Sequence, residues 1–234
     1  ISIMYVNNEL GTINPIKEIA DMALKNNILF HTDAVQYIGK EKVNLSLLNA
    51  DFMSICAHKF YGPKGIGILY IKNGHQINPL IAGGGQESGL RAGTENVSSI
   101  AGMNLALEIS NEYYDNHKKH ILKMENIFLK ELNNLAIHYR LNGNNRLPGI
   151  LNITFFNVDG HSLLMNLDMM NISISYGSAC SSGSASPPLA LLEIGLPKEE
   201  AQCSVRISIG RMIVEDDIKY LIQSISQIIK NIKK

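Results

Sequence analysis

Short apolar runs separated by polar turns dominate the first part of the chain. Runs of this kind, bounded by turn residues, are typical of buried strands. They predict four strands, at Ile1–Val6, Ile28–His31, Phe52–Ile55 and Ile66–Ile71. Between the first two, apolar residues recur at helical spacing after Pro15, and proline is favoured in the first turn of a helix. Strands separated by a helix or a crossover indicate an α/β sheet that is partly parallel.

The rest of the chain shows longer helical patterns and shorter strands. The segment AGGGQESGLRAGTEN is too rich in glycine for regular structure, and Thr94 near its end predicts a cap for a helix over 95–110. The further predicted elements are helices at 112–135, 160–170, 197–202 and after Val214, and strands at 151–155, 172–175 and 205–209. We therefore predict two domains, an α/β domain over 1–110 and a smaller α+β domain over 111–234.

Composition narrows the class of protein. The 234 residues are 45% hydrophobic and 18% charged, as is typical of a globular protein. A formal net charge of zero does not favour binding to nucleic acid or to an anionic membrane. Three cysteines without a CxxC pair argue against a zinc site or a disulfide framework. We expect a cytoplasmic protein without a membrane span or a metal, and we interpret His117 and His120 as part of a solvated helix face.

A lysine, Lys59, lies between a predicted strand and a glycine-rich turn in SICAHKFYGPKG. Most turn lysines are simply solvated, but one at the end of a buried strand is costly unless it is paired, solvated or used chemically. Asp33 lies two residues after the run ILFH, and Gln36 follows three residues later. Because the carboxyl ends of parallel strands meet at one edge of a sheet, we expect Asp33, Gln36, His58 and Lys59 to lie at the same edge.

A carboxylate, an amide, a histidine and a lysine at one edge suit pyridoxal phosphate. The lysine would form a Schiff base, and the aspartate would keep the pyridine nitrogen protonated so that the ring accepts electrons. A helix start such as the one after Thr94 suits the phosphate. Each residue also has a purely structural explanation, with Asp33 as a helix cap and His58 as a satisfied core residue. Their joint spacing favours the cofactor site.

Six segments follow one another in the order and spacing of a known family: NNELG, HTDAVQ, AHKFYGPKG, RAGTEN, GSACSSGS and VRISIGR. On these motifs, nearly the whole chain resembles the NifS/IscS-type cysteine desulfurases. These are fold-type-I pyridoxal-phosphate-dependent transferases of the class-V aminotransferase family. The resemblance implies that residues 1–110 are the C-terminal part of a large cofactor-binding α/β domain. It also implies that residues 111–234 form a small α+β domain carrying a catalytic-cysteine loop.

The resemblance implies a role for each matching position. Pyridoxal phosphate would be bound by Asn8, Asp33, Gln36, Cys56, His58, Lys59 and Thr94. Within this set, Lys59 would form the Schiff base and Asp33 would pair with the pyridine nitrogen. The amides of Asn8 and Gln36 would contact the ring hydroxyl. The cofactor phosphate would lie at Cys56 and His58, and Thr94 would reach the phosphate of the partner subunit in a homodimer.

The same resemblance implies a substrate and a reaction. Arg206, with Asn8, would bind the carboxylate of L-cysteine, and Lys59, His58 and Cys180 would be the catalytic residues. Cys180 would take the sulfur as a persulfide, release L-alanine and pass the sulfur to an acceptor such as an iron–sulfur cluster scaffold. Alternatives are a selenocysteine lyase or aminotransferase of the same fold, neither of which needs Cys180. A truncated, non-catalytic relative is an alternative of another class.

The sequence around Cys180 supports its role independently. The segment GSACSSGSASPP contains mostly small residues and has little to bury, so we expect an exposed thiol on a mobile loop. Such a thiol can move between a substrate and an acceptor. Cys203, by contrast, lies two residues before the strand predicted at 205–209, and we expect it in the core.

Two features depart from the family pattern. Cys56 stands where the family usually has serine, and because a thiol is a weaker donor than a hydroxyl we expect weaker cofactor binding. The chain also begins inside the strand-like run Ile1–Val6, without the family's N-terminal third. We therefore treat it as a fragment of a longer protein, whose cofactor binding is expected to depend on the missing part.

Overall fold

The computed structural model describes residues 1–135, 137–177 and 187–232. The chain forms two compact units, one of Ile1–Val6 and Asn14–Tyr114, the other of Asn7–Ile13 and Asp115–Lys234. The domain division after residue 110 remains a prediction, and the structure adds that residues 7–13 belong to the second unit.

The first unit is built on a four-stranded sheet. Its strands are β1 (Ser2–Met4), β2 (His31–Asp33), β3 (Phe52–Cys56) and β4 (Gly67–Ile71), in that spatial order. Strands β1, β2 and β3 are parallel, and β4 pairs antiparallel with β3, which confirms the predicted partly parallel sheet.

The second strand begins later than its apolar run predicts. Ile28 and Leu29 are exposed, and the N–H of Phe30 donates to Asp51 Oδ2 at 2.9 Å. The ladder with both neighbouring strands therefore starts at His31.

Two α-helices complete the first unit. Helix α1 spans Ile16–Lys25 and buries Ile16, Ala20 and Ala23, the face that its sequence predicts. Helix α2 spans Val97–Glu112. The prediction that Thr94 caps this helix is wrong, because Asn96 directly precedes it and its side chain accepts from the N–H of Ser99 at 3.3 Å.

The second unit contains an antiparallel sheet with helices packed on it. Its strands are β5 (Tyr139–Asn142), β6 (Ile150–Phe155) and β7 (Ser204–Ser208), with β6 in the centre. Its helices are α3 (Tyr114–Asn134), α4 (Gly160–Asp168), α5 (Leu189–Glu193), α6 (Lys198–Gln202) and α7 (Glu215–Ile232). A core of fully buried side chains, including Phe128, Leu151, Phe155, Leu163 and Ile225, joins these layers.

Three elements of the second unit differ from the predictions. Strand β5 and helix α5 had not been predicted, because both are short and their sequences carry little periodicity. The strand predicted at 172–175 is wrong, because in this segment Ser175 alone pairs, through an isolated bridge to Arg206. Within the described part of the chain, no helix is long and apolar enough to cross a membrane.

Candidate active site

Chemically reactive side chains collect where the parallel strands of the first unit end. Asp33 is the last residue of β2, and Cys56 is the last residue of β3. Asp33 is in register with Ser54, so Cys56 lies one strand repeat further along the same edge. Lys59 follows in a single 3₁₀ turn, Ala57–Phe60. We call Asp33, Gln36, Cys56, His58 and Lys59 the lysine edge.

Close packing fixes the turn that carries Lys59. Ala57 and Phe60 are buried, which leaves Lys59, between them, half-buried. A Cβ on Gly62 would lie 2.8 Å from the Cβ of Ala57, so only glycine fits there. A Cβ on Gly102 of α2 would likewise lie 2.8 Å from Pro63 Cγ, so this helix supports the GPKG segment at close range.

The backbone orients the Asp33 carboxylate. Its Oδ1 accepts from the N–H of Val35 at 2.9 Å, in the manner of an Asx turn. Asp33 is exposed, and this bond uses one of its two carboxylate oxygens. An aspartate held in this way can present its second oxygen to a protonated nitrogen.

A row of hydrogen bonds crosses the three parallel strands beside Asp33. Each ring nitrogen of His31 forms a hydrogen bond with a serine hydroxyl. Nδ1 lies 2.7 Å from Ser2 Oγ, and Nε2 lies 2.9 Å from Ser54 Oγ. His31 and Asp33 are two residues apart on β2 and therefore share a face of the sheet. The row stiffens the strand that presents Asp33, and sequence patterns alone did not reveal it.

Gln36 is buried and has a partner that the sequence analysis missed. Lys40 Nζ donates to Gln36 Oε1 at 2.8 Å. A signal was available, since these residues are four apart and the segment after β2 turns back on itself. The amide of Gln36 is therefore held in one orientation.

The Cys56 thiol lies among opposing electrostatic influences. Burial raises its pKa, whereas the backbone N–H of Lys59 and the positive charges of Lys59 and Lys40 act to lower it. The Asp33 charge acts in the same direction as burial. His58 Nε2 lies 3.8 Å from the sulfur. Because burial is the largest of these influences, the pKa of Cys56 is raised and the thiol keeps its proton as a donor.

The glycine-rich segment before α2 is an exposed loop. Thr94 lies on it and is exposed. Gly83, Gly89 and Gly93 have positive φ values of 157°, 79° and 106°, which L side chains rarely adopt. The loop therefore holds Thr94 at the surface of the first unit.

The second unit gathers a separate set of residues around Arg206 of β7. Its Nη1 donates to the backbone oxygen of Asn8 at 2.7 Å, and its Nη2 donates to Ser175 Oγ at 2.9 Å. Its Nε is buried and has no hydrogen-bond partner among the described residues. Burial lowers the pKa of Arg206, and the charge of Glu9 opposes this change. We call Asn8, Glu9, Ser175 and Arg206 the arginine cluster.

Glu9 is a member of this cluster that the sequence analysis missed. It is 8% exposed, and within the described part of the chain its Oε2 is buried without a hydrogen-bond partner. Burial raises the pKa of Glu9, and the Arg206 charge partly offsets this rise. A half-buried arginine with a buried Nε and a buried carboxyl with an unpaired oxygen are incompletely satisfied, as expected where a polar ligand binds.

The remaining cysteines and histidines that the sequence analysis singled out lie outside these two clusters or outside the described residues. Cys180 lies outside the described residues. Cys203 is half-buried at the end of α6, rather than fully in the core as predicted. His117 and His120 are half-buried, and His120 Nε2 contacts the Ile213 carbonyl at 2.8 Å, so the prediction of a solvated face is wrong. The described ranges contain no group of three or more His, Cys, Asp or Glu side chains that could hold a metal.

The functional groups of the lysine edge fit pyridoxal phosphate. It offers a half-buried amine, a carboxylate oriented by a backbone N–H, and an amide whose oxygen is already bonded. The thiol and the imidazole beside them can face a phosphate. These groups match the aldehyde, the pyridine nitrogen, the ring hydroxyl and the phosphate of this cofactor in turn.

Comparisons with known proteins agree with this chemistry. A family model described as "Aminotransferase class-V" matches residues 1–221. A cysteine desulfurase IscS of Clostridium botulinum is 44% identical over 98% of this chain and 59% of its own length. A mitochondrial cysteine desulfurase of Saccharomyces cerevisiae is 41% identical over 100% of this chain and 47% of its own length.

Solved structures give the same picture. A NifS-like protein superposes with a TM-score of 0.88 at 37% identity, covering 98% of this chain and 60% of that one. This chain thus has the fold of NifS-like proteins, the expected fold-type-I architecture. It spans about three fifths or less of the length of the relatives named here.

Proposed function

Because the chain belongs to the class-V aminotransferase family, we propose that the protein is a pyridoxal-phosphate-dependent cysteine desulfurase. It converts L-cysteine to L-alanine and holds the released sulfur as a persulfide. The observation that carries the proposal is the lysine edge, where Lys59 shares one sheet edge with an oriented carboxylate and a fixed amide. The similarity to proteins named as cysteine desulfurases supports the choice of substrate.

In this proposal the lysine edge holds the cofactor. Lys59 binds its aldehyde carbon, the Asp33 carboxylate faces its pyridine nitrogen, and the Gln36 amide, with Asn8, donates to its ring oxygen. Cys56 and His58 face its phosphate, and Thr94 reaches the phosphate bound to the partner subunit of a homodimer. When bound, pyridoxal phosphate supplies an electron sink for the bonds at the substrate Cα.

The chain's own residues then perform the remaining tasks. Arg206 binds the substrate carboxylate through its guanidinium group, which is half-buried and permanently charged. Lys59 would move the proton at the substrate Cα, with His58 next to it in the chain. Cys180 attacks the substrate sulfur. The carbon–sulfur bond breaks, a sulfur–sulfur bond forms on Cys180, and Cβ gains the hydrogen that makes alanine.

The sulfur carried by Cys180 needs an acceptor. The proposed acceptor is another protein, such as an iron–sulfur cluster scaffold. The proposed setting is the cytoplasm, because a free thiol that carries sulfur requires reducing surroundings.

The proposal is tested with the full-length protein loaded with pyridoxal phosphate. Alanine formation from L-cysteine is measured for the wild type, Cys180→Ser and the matched control Cys203→Ser. We expect alanine from the wild type and the control and almost none from Cys180→Ser. Full activity of Cys180→Ser would favour a selenocysteine lyase or aminotransferase. A wild type that binds no cofactor would favour a non-catalytic relative.

A further inference from the structure

Lys40 extends the lysine edge by one cation that no motif suggested. It lies on the segment after β2, half-buried, and its Nζ donates to Gln36 Oε1 at 2.8 Å. Gln36 itself is 9% exposed. Both residues belong to the first unit, so the contact is formed within one compact body.

The chemistry of this contact fixes which way the Gln36 amide points. An ammonium group carries only hydrogen-bond donors, so the atom that Lys40 contacts must be the amide oxygen. A flipped amide would place donors against donors. With its oxygen bonded to Lys40, Gln36 meets any ligand mainly through its NH₂ group, as a donor.

The charge of the same ammonium also influences a second residue of the lysine edge. The positive charge of Lys40 acts to lower the pKa of the Cys56 thiol, against the effect of burial. Lys40 therefore acts on both Gln36 and Cys56, which face different parts of the cofactor in the proposed function.

Relying on the proposed function for the identity of the ligand, we propose that Lys40 is a positioning residue of the cofactor site. It holds the Gln36 amide so that its NH₂ donates to the ring oxygen of pyridoxal phosphate. It also keeps a positive charge beside Cys56, where the phosphate binds.

The first test measures the dissociation constant of pyridoxal phosphate for the full-length protein freed of cofactor. Lys40→Met is compared with Lys42→Met, which removes the same charge two residues away. Lys42 contacts the Tyr114 ring, with its Nζ 4.5 Å from the centroid, and is therefore a matched control. We expect about tenfold weaker binding for Lys40→Met, the scale of one charge-assisted hydrogen bond, and less than twofold change for Lys42→Met.

Two further variants separate donor chemistry from shape. Lys40→Arg keeps a charged donor and should retain most of the affinity. Gln36→Glu keeps an acceptor for Lys40 but offers the ring oxygen only another acceptor, so it should bind at least as weakly as Lys40→Met. Melting temperatures of the cofactor-free variants show that each is folded.

A second readout requires no cofactor. Alkylation of Cys56 by iodoacetamide, followed by peptide mass spectrometry, should be severalfold slower in Lys40→Met, because the thiolate loses a neighbouring cation. It should be unchanged in Lys42→Met.

Three results would overturn the role of Lys40. These are wild-type affinity in Lys40→Met, equal losses in Lys40→Met and Lys42→Met, or equal losses in Lys40→Arg and Lys40→Met. None of these measurements depends on turnover. A protein whose affinity for pyridoxal phosphate depends on Lys40 but that forms no alanine would therefore refute the proposed activity and leave this role intact.

Discussion

The lysine edge and the arginine cluster satisfy their polar atoms in different ways. In the first unit, Asp33 is bonded by a backbone N–H and Gln36 by Lys40, so both side chains are fixed before any ligand arrives. In the second unit, Arg206 Nε and Glu9 Oε2 are buried without partners among the described residues. The lysine edge is therefore preorganised by its own protein partners, whereas the arginine cluster keeps two buried polar atoms unpaired.

The largest expected effect on activity is that of a substitution at Lys59, in the lysine edge. Lys59→Ala removes the amine that we propose to bind the cofactor and to move the substrate proton. Alanine formation should fall roughly a thousandfold or more, and the visible absorbance of the Lys59-bound cofactor should disappear. The melting temperature of the cofactor-free protein should hardly change, because Lys59 is half-buried. Turnover of cysteine by Lys59→Ala would remove this residue from the mechanism.

Asp33→Asn tests the negative charge of the lysine edge while keeping the shape of the side chain. Asparagine keeps the Oδ1 acceptor for the Val35 N–H, so the local turn should survive. The negative charge facing the pyridine nitrogen is lost. We expect kcat to fall about a hundredfold while the fraction of protein with bound cofactor changes far less. Equal turnover of Asp33→Asn and the wild type would refute the assignment.

Arg206→Lys tests the arginine cluster. Lysine keeps the charge but cannot donate to Asn8, Ser175 and a substrate carboxylate together. The KM for L-cysteine should rise about tenfold or more, with the absorbance of the bound cofactor unchanged. Loss of cofactor with an unaltered KM would contradict the proposed role of Arg206 in binding the substrate carboxylate.

Glu9→Gln should have the smallest effect on activity. It should lower the KM for L-cysteine, whereas Arg206→Lys should raise it. Removing a negative charge that acts on Arg206 strengthens its attraction for anions. We expect the KM for L-cysteine to fall about twofold to threefold, the scale of a weak charge interaction. Simple carboxylates should inhibit more strongly by a similar factor. A raised KM would show instead that Glu9 helps to hold Arg206 in place.

The same variant has a pH signature in stability. Because burial raises the pKa of Glu9 above its ordinary value of 4.5, the folded protein holds this proton more tightly than the unfolded chain. That stabilisation is complete below the ordinary value and is lost as pH rises through the raised pKa. Glu9→Gln should therefore melt at a higher temperature than the wild type near pH 7, and at a similar temperature near pH 4.

The sequence predicted the lysine edge better than the arginine cluster. Asp33 and Lys59 lie two and four residues after the predicted strands that end at His31 and Ile55, so hydrophobic patterning and parallel pairing were enough to place them at one edge. The sequence analysis missed Lys40 and Glu9. Lys40 was missed because it acts through a single contact with Gln36, and Glu9 because its burial is a property of the folded chain. The loop residue Thr94 was wrongly predicted as a cap, since capping depends on the dihedral angles at a helix start that composition did not locate.

The most direct test of the central claim is where sulfur from L-cysteine becomes attached. The full-length protein is loaded with pyridoxal phosphate, incubated with L-cysteine, digested without reductant and analysed by peptide mass spectrometry, with Lys59→Ala in parallel. The account predicts one extra sulfur on the Cys180 peptide of the wild type and none in Lys59→Ala. Sulfur on Cys56 or Cys203 instead, or the same labelling in Lys59→Ala, would contradict it.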